Sequence, residues 1–325
     1  MKIFEPEKFE TEIIDNINNI LDDKTYSGDI TISEMTYIQR CFLNGALRQV
    51  KPKKILELGV SAGGSSAIIL NSIKDIEGSF LYSIDYSTQY YRDSSKKSGF
   101  LVNDKFNNLS NKWKLYTGGL SAKFIDEIGD GIDFCLLDTM HCNPGEFIDF
   151  LTILPYLKKN AVLVIHDTSL YVHFQHCITC GVLFSSLKGI KMTPNENIFS
   201  TIGNIGLVIL DDDIKERIFD YFYLLTLPWS YLPSNEDIVI IENFIKRHYG
   251  DKYSKMFLSI ALHYKDSLYS SNSLDNKINQ VDNRITQVDN KINQVDNRIE
   301  QLINTLAWWI PIKKKRDEFR KKFTI

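Results

Sequence analysis

The 325-residue sequence predicts an α/β fold in which a doubly wound, mainly parallel sheet carries helices on both faces. Two observations support this prediction: short apolar segments alternate with helical ones, and a glycine-rich turn follows the first of them. A heptad repeat near the C terminus predicts an added coiled coil. We expect an N-terminal helical segment (1–50), a sheet domain (51–211), a helical extension (212–272), a coiled coil (273–306) and a basic amphipathic tail (307–325).

Six short apolar segments predict the strands of the sheet. Hydrophobic runs of this length, separated by helical segments, are typical of parallel strands that are buried on both faces. The predicted strands are 55–58, 80–84, 113–116, 132–137, 161–165 and 205–210. The predicted helices between them include 65–73, 122–128 and 146–157, the last ended by a turn at 158–160. Ligands of such sheets bind at the carboxyl ends of the strands, so polar residues there are candidates for function.

Helices are also predicted on either side of the sheet domain. Capping residues between Thr31 and Thr36 precede a periodic helix that runs to Val50 and is closed by Pro52. The aromatic-rich stretch 211–270 predicts further helices, with a loop at 229–235. A polar hinge is expected at 267–273.

Composition and charge limit the classes of function. With 43% hydrophobic residues and a formal net charge of −3, the chain can bury a full core but has no field that attracts nucleic acid. Its five cysteines, an odd number, favour reduced thiols over a disulfide framework. The first residues lack the apolar core of a signal peptide, and no run reaches the roughly 20 apolar residues that cross a bilayer. We therefore expect a cytoplasmic protein, with peripheral contact to the inner membrane face.

The turn after the first strand predicts a ligand site. Gly59 and Gly63 let the backbone approach a ligand, and the helix start at Ser65 offers unpaired N–H groups. Such a turn suits a dinucleotide pyrophosphate or the amino-acid end of S-adenosylmethionine. Glu57 would repel a phosphate but would pair with an ammonium group, directly or through water. Asp85, at the end of the second strand, is placed to accept hydrogen bonds from ribose hydroxyls or, alternatively, to cap a turn.

From about Ile32 to Leu210 the sequence resembles the class I S-adenosylmethionine-dependent methyltransferases, and most closely the branch that often methylates sugar hydroxyls. The matching segments are Glu57-Leu-Gly-Val-Ser-Ala-Gly-Gly-Ser, Ser83-Ile-Asp85, Leu136-Leu-Asp-Thr-Met-His141 and Val164-Ile-His-Asp-Thr168. The resemblance implies a Rossmann-like fold with S-adenosylmethionine as cofactor. The residues it implies for cofactor binding are Glu57, Gly59, Ser61, Gly63, Ser65, Asp85, Gly119 and Asp138.

Two of these cofactor residues carry specific expectations. Ser61 stands where many family members have the middle glycine, and a serine fits there if its φ stays negative. Gly119 lies in a turn that passes near the adenine in this family, and a simple tight turn is the alternative.

The same resemblance implies catalytic roles at the ends of the fourth and fifth predicted strands. In relatives that act on sugars, a divalent metal orients the substrate hydroxyls and a nearby histidine removes the proton. Carried over, Asp138 and Asp167 are metal ligands, His166 is a third ligand, and His141 is the base. Mg²⁺ prefers oxygen ligands, whereas an imidazole at position 166 suits Zn, Fe or Ni. The alternative is that these residues cap a turn and order a loop, and that no metal binds.

A second group of metal-type residues consists of His173, His176, Cys177 and Cys180. Structural zinc sites usually draw their ligands from two separated elements, whereas these four residues lie within about two helical turns. We therefore expect ordinary buried cysteines in a helix or lid over the substrate site.

A strict heptad seam of isoleucine, valine and leucine runs from Ile278 to Leu306. Basic residues at g and aspartates at e favour parallel self-association, and the β-branched core residues favour trimers over dimers. The alternative is a single helix that lies back on the preceding domain.

The segment after the seam combines adjacent tryptophans with a basic run. Trp308, Trp309 and the cluster beginning at Lys313 suit an anionic membrane surface. The Trp-Trp-Ile-Pro pattern also resembles the C-terminal tails of bacterial surface-polysaccharide glycosyltransferases, which implies contact with membrane-bound glycan machinery. The alternative is a charged, solvated terminus whose tryptophans pack on the coiled coil. Nucleic acid is not an expected partner.

Taken together, these patterns predict an S-adenosylmethionine-dependent O-methyltransferase for a sugar hydroxyl of a bacterial surface glycan or its precursor. The first alternative is methylation of a small molecule such as a phenol or natural product. The second is a non-catalytic, membrane-associated oligomeric scaffold. An NAD oxidoreductase is disfavoured by Glu57.

Overall fold

The computed structural model describes residues 11–25, 30–194, 203–308 and 311–323, without the side chains of 11–13, 267–284, 308 and 323. The chain divides into two compact units, Met1–Tyr264 and Lys265–Ile325. The first unit therefore combines the predicted N-terminal segment, the sheet domain and most of the helical extension.

Two helices precede the sheet: α1 (Thr11–Leu21) and α2 (Tyr37–Val50). Within the predicted capping stretch, the cap itself is Thr36, which forms a capping box with Gln39. Gln39 thereby acquires a fixed side-chain position at the start of α2.

A seven-stranded sheet and a separate two-stranded hairpin follow. Their strands are β1 (Lys54–Leu58), β2 (Phe80–Asp85), β3 (Gln89–Tyr90), β4 (Asp93–Lys97), β5 (Trp113–Thr117), β6 (Ile132–Leu137), β7 (Leu157–His166), β8 (Gly189–Met192) and β9 (Ile205–Leu210). The large sheet has the order β5-β2-β1-β6-β7-β9-β8, and β3 pairs with β4. Neighbours from β5 to β7 are parallel, whereas β9 runs antiparallel to both β7 and β8. The predicted fold class is confirmed.

Helices cover both faces of the sheet. They are α3 (Gly64–Ile73), α4 (Phe100–Lys105), α5 (Ser121–Ile128), α6 (Gly145–Ile153) and α7 (Thr179–Ser186). Along β1, Leu56 and Leu58 join an apolar core with α5 and α6, while Ile55 joins a second core with α1 to α4. This alternation follows from the two-residue period of a strand that is buried on both faces.

Three local predictions were wrong or incomplete. The helix predicted at 146–157 is α-helical only to Ile153 and continues as a 3₁₀ helix over Leu154–Tyr156. The turn predicted at 158–160 is instead an exposed part of β7, near the start of that strand. The strand β8 and the β3–β4 hairpin were not predicted. These strands have mostly exposed or half-buried residues and no continuous apolar run, so they lack the signal on which the other strands were assigned.

The remaining helices are α8 (Ile218–Leu224), α9 (Asn235–Tyr249), α10 (Asp251–Trp308) and α11 (Lys313–Phe323). The backbone of α10 is helical through 267–273, so the hinge predicted there does not break the helix. Trp309 of the predicted membrane motif lies outside the described residues. No helix in the described part of the chain is both long and apolar enough to cross a bilayer.

Candidate active site

The candidate site lies at the carboxyl ends of β1, β2, β6 and β7. The strand order reverses beside β1, because the chain continues from β1 to β2 on one side and later places β6 on the other. Such a reversal opens a crevice in which ligands of parallel sheets bind. Two backbone hydrogen bonds join the strand ends, from Gly59 N to Ile84 O (2.9 Å) and from Asp138 N to Leu58 O (2.9 Å).

The turn after β1 is built for close backbone approach. Gly59 has a φ of 86°, and a Cβ there would lie 1.7 Å from the carbonyl oxygen of Asp138. Only glycine fits this position. Ser61 has a φ of 54°, so the negative φ that was the stated condition for a serine to fit is not met. Its N–H donates to Asp85 and its carbonyl accepts from Gly99 N, which holds the residue in the left-handed region at modest cost.

Glu57 lies beneath this turn and is fully buried. Its two carboxylate oxygens accept hydrogen bonds from Ser65, Ser66 and Ser83 hydroxyls, each at 2.6 Å. Burial raises the pKa of the Glu57 carboxyl to about 7, against the lowering effect of the three hydroxyls. Because this carboxylate has no exposed surface, a direct pair with a ligand ammonium is not available, and any influence on a ligand passes through the serines.

Asp85 anchors the same turn from the end of β2. Its Oδ2 atom accepts from Val60 N (3.0 Å), Ser61 N (2.9 Å) and Ser98 Oγ (2.8 Å). Its Oδ1 atom accepts from Ser87 N at 2.8 Å and retains room for a further donor. Asp85 therefore organises the backbone of the turn, which is the alternative role that the sequence indicated, and still offers one oxygen for a ribose hydroxyl.

A small cavity of about 270 Å³ opens next to the predicted adenine turn. Gly119 and its neighbour Gly118 line one side, together with Tyr86. The start of α9 lines the other side through Asp237, whose carboxylate accepts a hydrogen bond from the Tyr86 hydroxyl at 3.1 Å. Gly119 thus borders this cavity.

The predicted base and the three predicted metal ligands come together at the ends of β6 and β7. His141 Nε2 lies 3.2 Å from Asp167 Oδ2 and 3.8 Å from Asp138 Oδ1. His166 Nδ1 lies 3.3 Å from Asp138 Oδ1 and 3.6 Å from Asp167 Oδ2. Two carboxylates and two imidazoles therefore share one small volume.

His166 is buried, and Gln39 contacts the ring nitrogen that faces away from the two carboxylates. The His166 Nε2 atom lies 3.1 Å from Gln39 Oε1, an acceptor that favours hydrogen on this nitrogen. The Nδ1 atom is buried and lacks a hydrogen bond of good geometry, although it faces Asp138 and Asp167. Burial lowers the pKa of His166, but the two carboxylates outweigh it and hold this pKa well above its usual range.

Asp167 stays ionised despite its burial. Burial raises the pKa of the Asp167 carboxyl, but the charge of His166 outweighs this effect and holds the pKa well below its usual range. Asn204 Nδ2 donates to Asp167 Oδ1 at 2.5 Å. Asp167 has a φ of 57°, which turns its side chain out of the strand line and towards His141. The antiparallel strand β9 begins at the next residue, Ile205, and so supplies Asn204.

Sequence reasoning missed Glu146, which positions His141. Glu146 is fully buried, and its Oε1 atom accepts from the backbone N–H of His141 and lies 3.8 Å from His141 Nδ1. Burial raises the pKa of Glu146 to about 7, against the lowering effect of His141. Asp149, one turn along α6, accepts from Thr139 Oγ1 at 2.9 Å. Two acids three residues apart in an otherwise apolar helix were a signal that could have found this pair.

The arrangement offers ligands for one cation. Single atoms of Asp138, His141 and Asp167 all lie within 4.8 Å of one another. His166 Nδ1 faces the same carboxylates, with Nε2 fixed by Gln39 in the manner that often orients an imidazole ligand. The residues present therefore fit a divalent cation.

Part of the chain is similar to a known protein family. Residues 56–168, which begin in β1 and end just past β7, match the family model of a methyltransferase domain. No curated protein matches the chain. The match shows that this stretch of the chain is similar to a methyltransferase domain.

Solved structures with a likeness to this chain include the SAH-bound Podospora anserina methyltransferase PaMTH1, with 15% identity and a TM-score of 0.45 over 63% of this chain and 89% of that chain. The Bacillus cereus O-methyltransferase in complex with SAH has 13% identity and a TM-score of 0.44, over 62% and 92% of the two chains. TomG from Streptomyces achromogenes has 13% identity and a TM-score of 0.43, over 64% and 100%. Likenesses of this size do not assign a cofactor or a substrate.

Proposed function

We propose that the protein transfers a methyl group from S-adenosylmethionine to a hydroxyl group, and that the hydroxyl belongs to a sugar of a bacterial surface glycan or its precursor. The observation that carries the proposal is the convergence of Asp138, His141 and Asp167 at the strand ends beside the glycine turn. A cofactor bound at the turn would present its methyl group towards these residues.

The reaction needs in-line displacement and a proton acceptor. The acceptor oxygen attacks the methyl carbon, the bond between carbon and sulfur breaks, and S-adenosylhomocysteine leaves with the electron pair. The hydroxyl proton passes to His141 Nε2, the ring nitrogen on the side of Asp138 and Asp167. His141 Nδ1, on the side of Glu146, then carries the other hydrogen, and the buried carboxylate stabilises the imidazolium.

A divalent cation would fit this scheme as an aid to binding. Asp138 and Asp167 would hold it, with His166 as a third ligand, and it would supply positive charge that orients an acceptor hydroxyl. His141 lies close enough to these carboxylates to act either as a further ligand or as the base, and the proposal assigns it as the base.

A sugar acceptor is supported by the resemblance and by the density of polar groups. Two carboxylates within reach of one another suit an acceptor with adjacent hydroxyls, each of which can donate a hydrogen bond. A phenolic acceptor is the second candidate, favoured by the exposed side chains of Met140 and Phe174. Apolar surface of this kind would contact an aromatic ring.

Methyl transfer with isotope-labelled S-adenosylmethionine tests both candidates. Full-length protein is incubated with the cofactor and parallel sets of sugar and phenol acceptors, and the products are identified by mass spectrometry. We expect a methyl ether of a sugar. A labelled phenol ether with no sugar product would move the assignment to the second candidate, and S-adenosylmethionine binding without any product would favour the scaffold.

We also propose that the chain self-associates through the stripe on α10 formed by Ile285, Val288, Ile292, Val295, Ile299, Leu302 and Leu306. Each of these side chains is about half exposed, from 47% to 61%. A stripe with a strict three-four spacing and charged flanks is suited to a second copy of the same helix. Aspartates at e and basic residues at g would pair between parallel copies, which is the charge pattern that self-association requires.

The basic helix α11 is the second element of this proposal. It carries seven lysines and arginines against Asp317 and Glu318, so it suits the anionic surface of the inner membrane face or of the glycan machinery bound there. Several tails on one assembly would bind such a surface more tightly than one tail alone.

The test compares two double variants of the full-length chain by sedimentation and by binding to phosphatidylglycerol vesicles. Ile292→Lys with Ile299→Lys interrupts the stripe and should yield smaller assemblies with weaker vesicle binding. Asn290→Lys with Asn297→Lys adds the same charge on the opposite side of the helix and should keep the assembly. A monomeric wild-type chain would rule out self-association, and no vesicle binding at low salt would rule out the membrane surface.

A further inference from the structure

We propose that Cys142, His176 and Cys177 form a binding site for a thiophilic divalent cation of the Zn²⁺ class. One ligand atom from each of these residues lies within 4.8 Å of the other two. The site is separate from the carboxylate and imidazole groups to which methyl transfer is assigned.

The structure removes the objection that the sequence raised against zinc in this region. The four residues of the compact sequence motif do not act together, because Cys180 turns to His141, with its Sγ atom 3.7 Å from His141 Nδ1. Cys142 takes part instead, and it comes from the loop after β6, some 35 residues earlier in the chain. Ligands from two separated elements are what a zinc site normally uses.

The distance between the two sulfur atoms suits a shared ion. The Sγ atoms of Cys142 and Cys177 lie 3.7 Å apart. Two sulfurs bound to a tetrahedral Zn²⁺ at about 2.3 Å lie about 3.8 Å from one another. The same distance also suits two thiols in simple contact, so the imidazole of His176 is the observation that favours a metal. Two thiolates and one imidazole form a soft ligand set that Mg²⁺ and Ca²⁺ do not prefer, with a fourth position open to water.

The segment that carries His176 and Cys177 is largely exposed, and a bound ion would stabilise it. Six consecutive residues, 171–176, are exposed, and they include the large apolar side chains of Tyr171 and Phe174. We call residues 170–178 the strap. Its N-terminal end follows Ser169, which is fixed by hydrogen bonds to Gly203 O (2.6 Å) and Asn204 Oδ1 (3.0 Å). At its other end only Cys177 is buried before α7 begins.

A cation at this site would join the strap to the loop that carries His141. Cys142 is the next residue after His141, and Thr179 Oγ1, just past the strap, donates to the carbonyl oxygen of His141 at 3.3 Å. Binding of the ion would therefore order both segments at once, because its ligands come from both. This consequence requires only the described geometry and does not depend on the reaction that the protein catalyses.

Cobalt substitution of the full-length chain tests the site directly. Reduced, metal-free protein is titrated with Co²⁺, whose bonds to thiolates give charge-transfer absorption that oxygen and nitrogen ligands do not give. We expect one equivalent with this absorption, displaced by Zn²⁺. Cys142→Ser and Cys177→Ser should each remove most of it, and His176→Ala should weaken Co²⁺ binding at least about 10-fold, as expected on loss of one of three ligands. His173→Ala, on the same strap, should change nothing.

Two further observations keep the test decisive. His176 is exposed, so His176→Ala should fold normally and any loss of metal is a direct effect. Zn²⁺ should also slow amide hydrogen exchange in 138–144 and in 170–178. The proposal is overturned if the wild-type chain shows no thiolate absorption with Co²⁺, or if the absorption survives Cys142→Ser. It is also overturned if the isolated protein carries a disulfide between Cys142 and Cys177 and binds no thiophilic metal after reduction.

Discussion

At the ends of β1 and β2, the carboxylates of Glu57 and Asp85 accept hydrogen bonds from serine hydroxyls and from the backbone of the glycine turn. At the ends of β6 and β7, the carboxylates of Asp138 and Asp167 face imidazoles instead, and the buried His166 Nδ1 lacks a well-aligned hydrogen bond. Carboxylates that accept hydrogen bonds from the surrounding backbone and hydroxyl groups fix the conformation of that backbone. Carboxylates beside imidazoles that lack well-aligned hydrogen bonds can exchange protons or bind a cation. Under the proposed function, this sheet edge therefore has a rigid half that binds the cofactor and a reactive half that carries out the chemistry.

Removal of the proposed base is expected to have the largest effect and tests the difference between the two halves of the site. His141→Ala should reduce turnover by about 10²–10⁴-fold with the Kd for S-adenosylmethionine little changed, because a general base acts on the acceptor and not on the cofactor. Turnover is measured with saturating acceptor, and binding is measured by calorimetry. His263→Ala, which removes an exposed imidazole on α10, serves as the control. Near-normal turnover in His141→Ala would place the base elsewhere.

The rigid half predicts an effect on stability that depends on pH. Glu57 has a pKa of about 7 in the folded chain, above its ordinary value of 4.5, so the folded state holds an extra proton between these values. The free energy of unfolding therefore falls by about 3 kcal/mol as the pH rises through this window. Glu57→Gln cannot lose a proton and lacks this contribution.

Denaturant unfolding of both chains at pH 5 and pH 8 measures this effect. The wild-type chain should lose more stability than Glu57→Gln between the two pH values, while Glu146 and His166 contribute alike in both chains. If the free energy of unfolding differs between the wild-type chain and Glu57→Gln by the same amount at both pH values, the assignment of a buried, proton-binding Glu57 is contradicted.

A smaller effect, on cofactor affinity, is expected from substitution of Asp85, because one of its two carboxylate oxygens is occupied by hydrogen bonds within the turn. Asp85→Asn loses the charge that holds the N–H groups of Val60 and Ser61, so the Kd for S-adenosylmethionine should rise roughly 10- to 100-fold with little change in turnover at saturating cofactor. Asp93→Asn is the matched control, since that exposed carboxylate pairs with Ser95 on the hairpin. A loss of turnover without a loss of affinity would put Asp85 in the reactive half.

The sheet was predictable because its central strands are continuous apolar runs. The strands 132–137 and 205–210 have the predicted limits, and the others differ mainly at their ends. The convergence of Asp138, His141, His166 and Asp167 was also predictable, since parallel strands end at one edge. Polar, exposed β8 and the β3–β4 hairpin gave no such pattern.

Contacts between distant segments could not be predicted from one sequence. Gln39 contacts His166 across 127 positions, and Asn204, the residue before β9, contacts Asp167 across 37 positions, so neither has a local signal. The hydrogen bonds that Glu57 and Asp85 accept depend on side-chain directions that sequence spacing does not fix. The positive φ of Ser61 is set in the same way, by the bond from its N–H to Asp85.

The most direct test of the division between a cofactor half and a reactive half is a calorimetric titration of full-length wild-type protein and His141→Ala with S-adenosylmethionine and with NAD, each with and without EDTA. We predict that both chains bind one S-adenosylmethionine with similar Kd in either condition and that neither binds NAD. Heat from NAD with none from S-adenosylmethionine would contradict the account, and so would a loss of cofactor binding in His141→Ala.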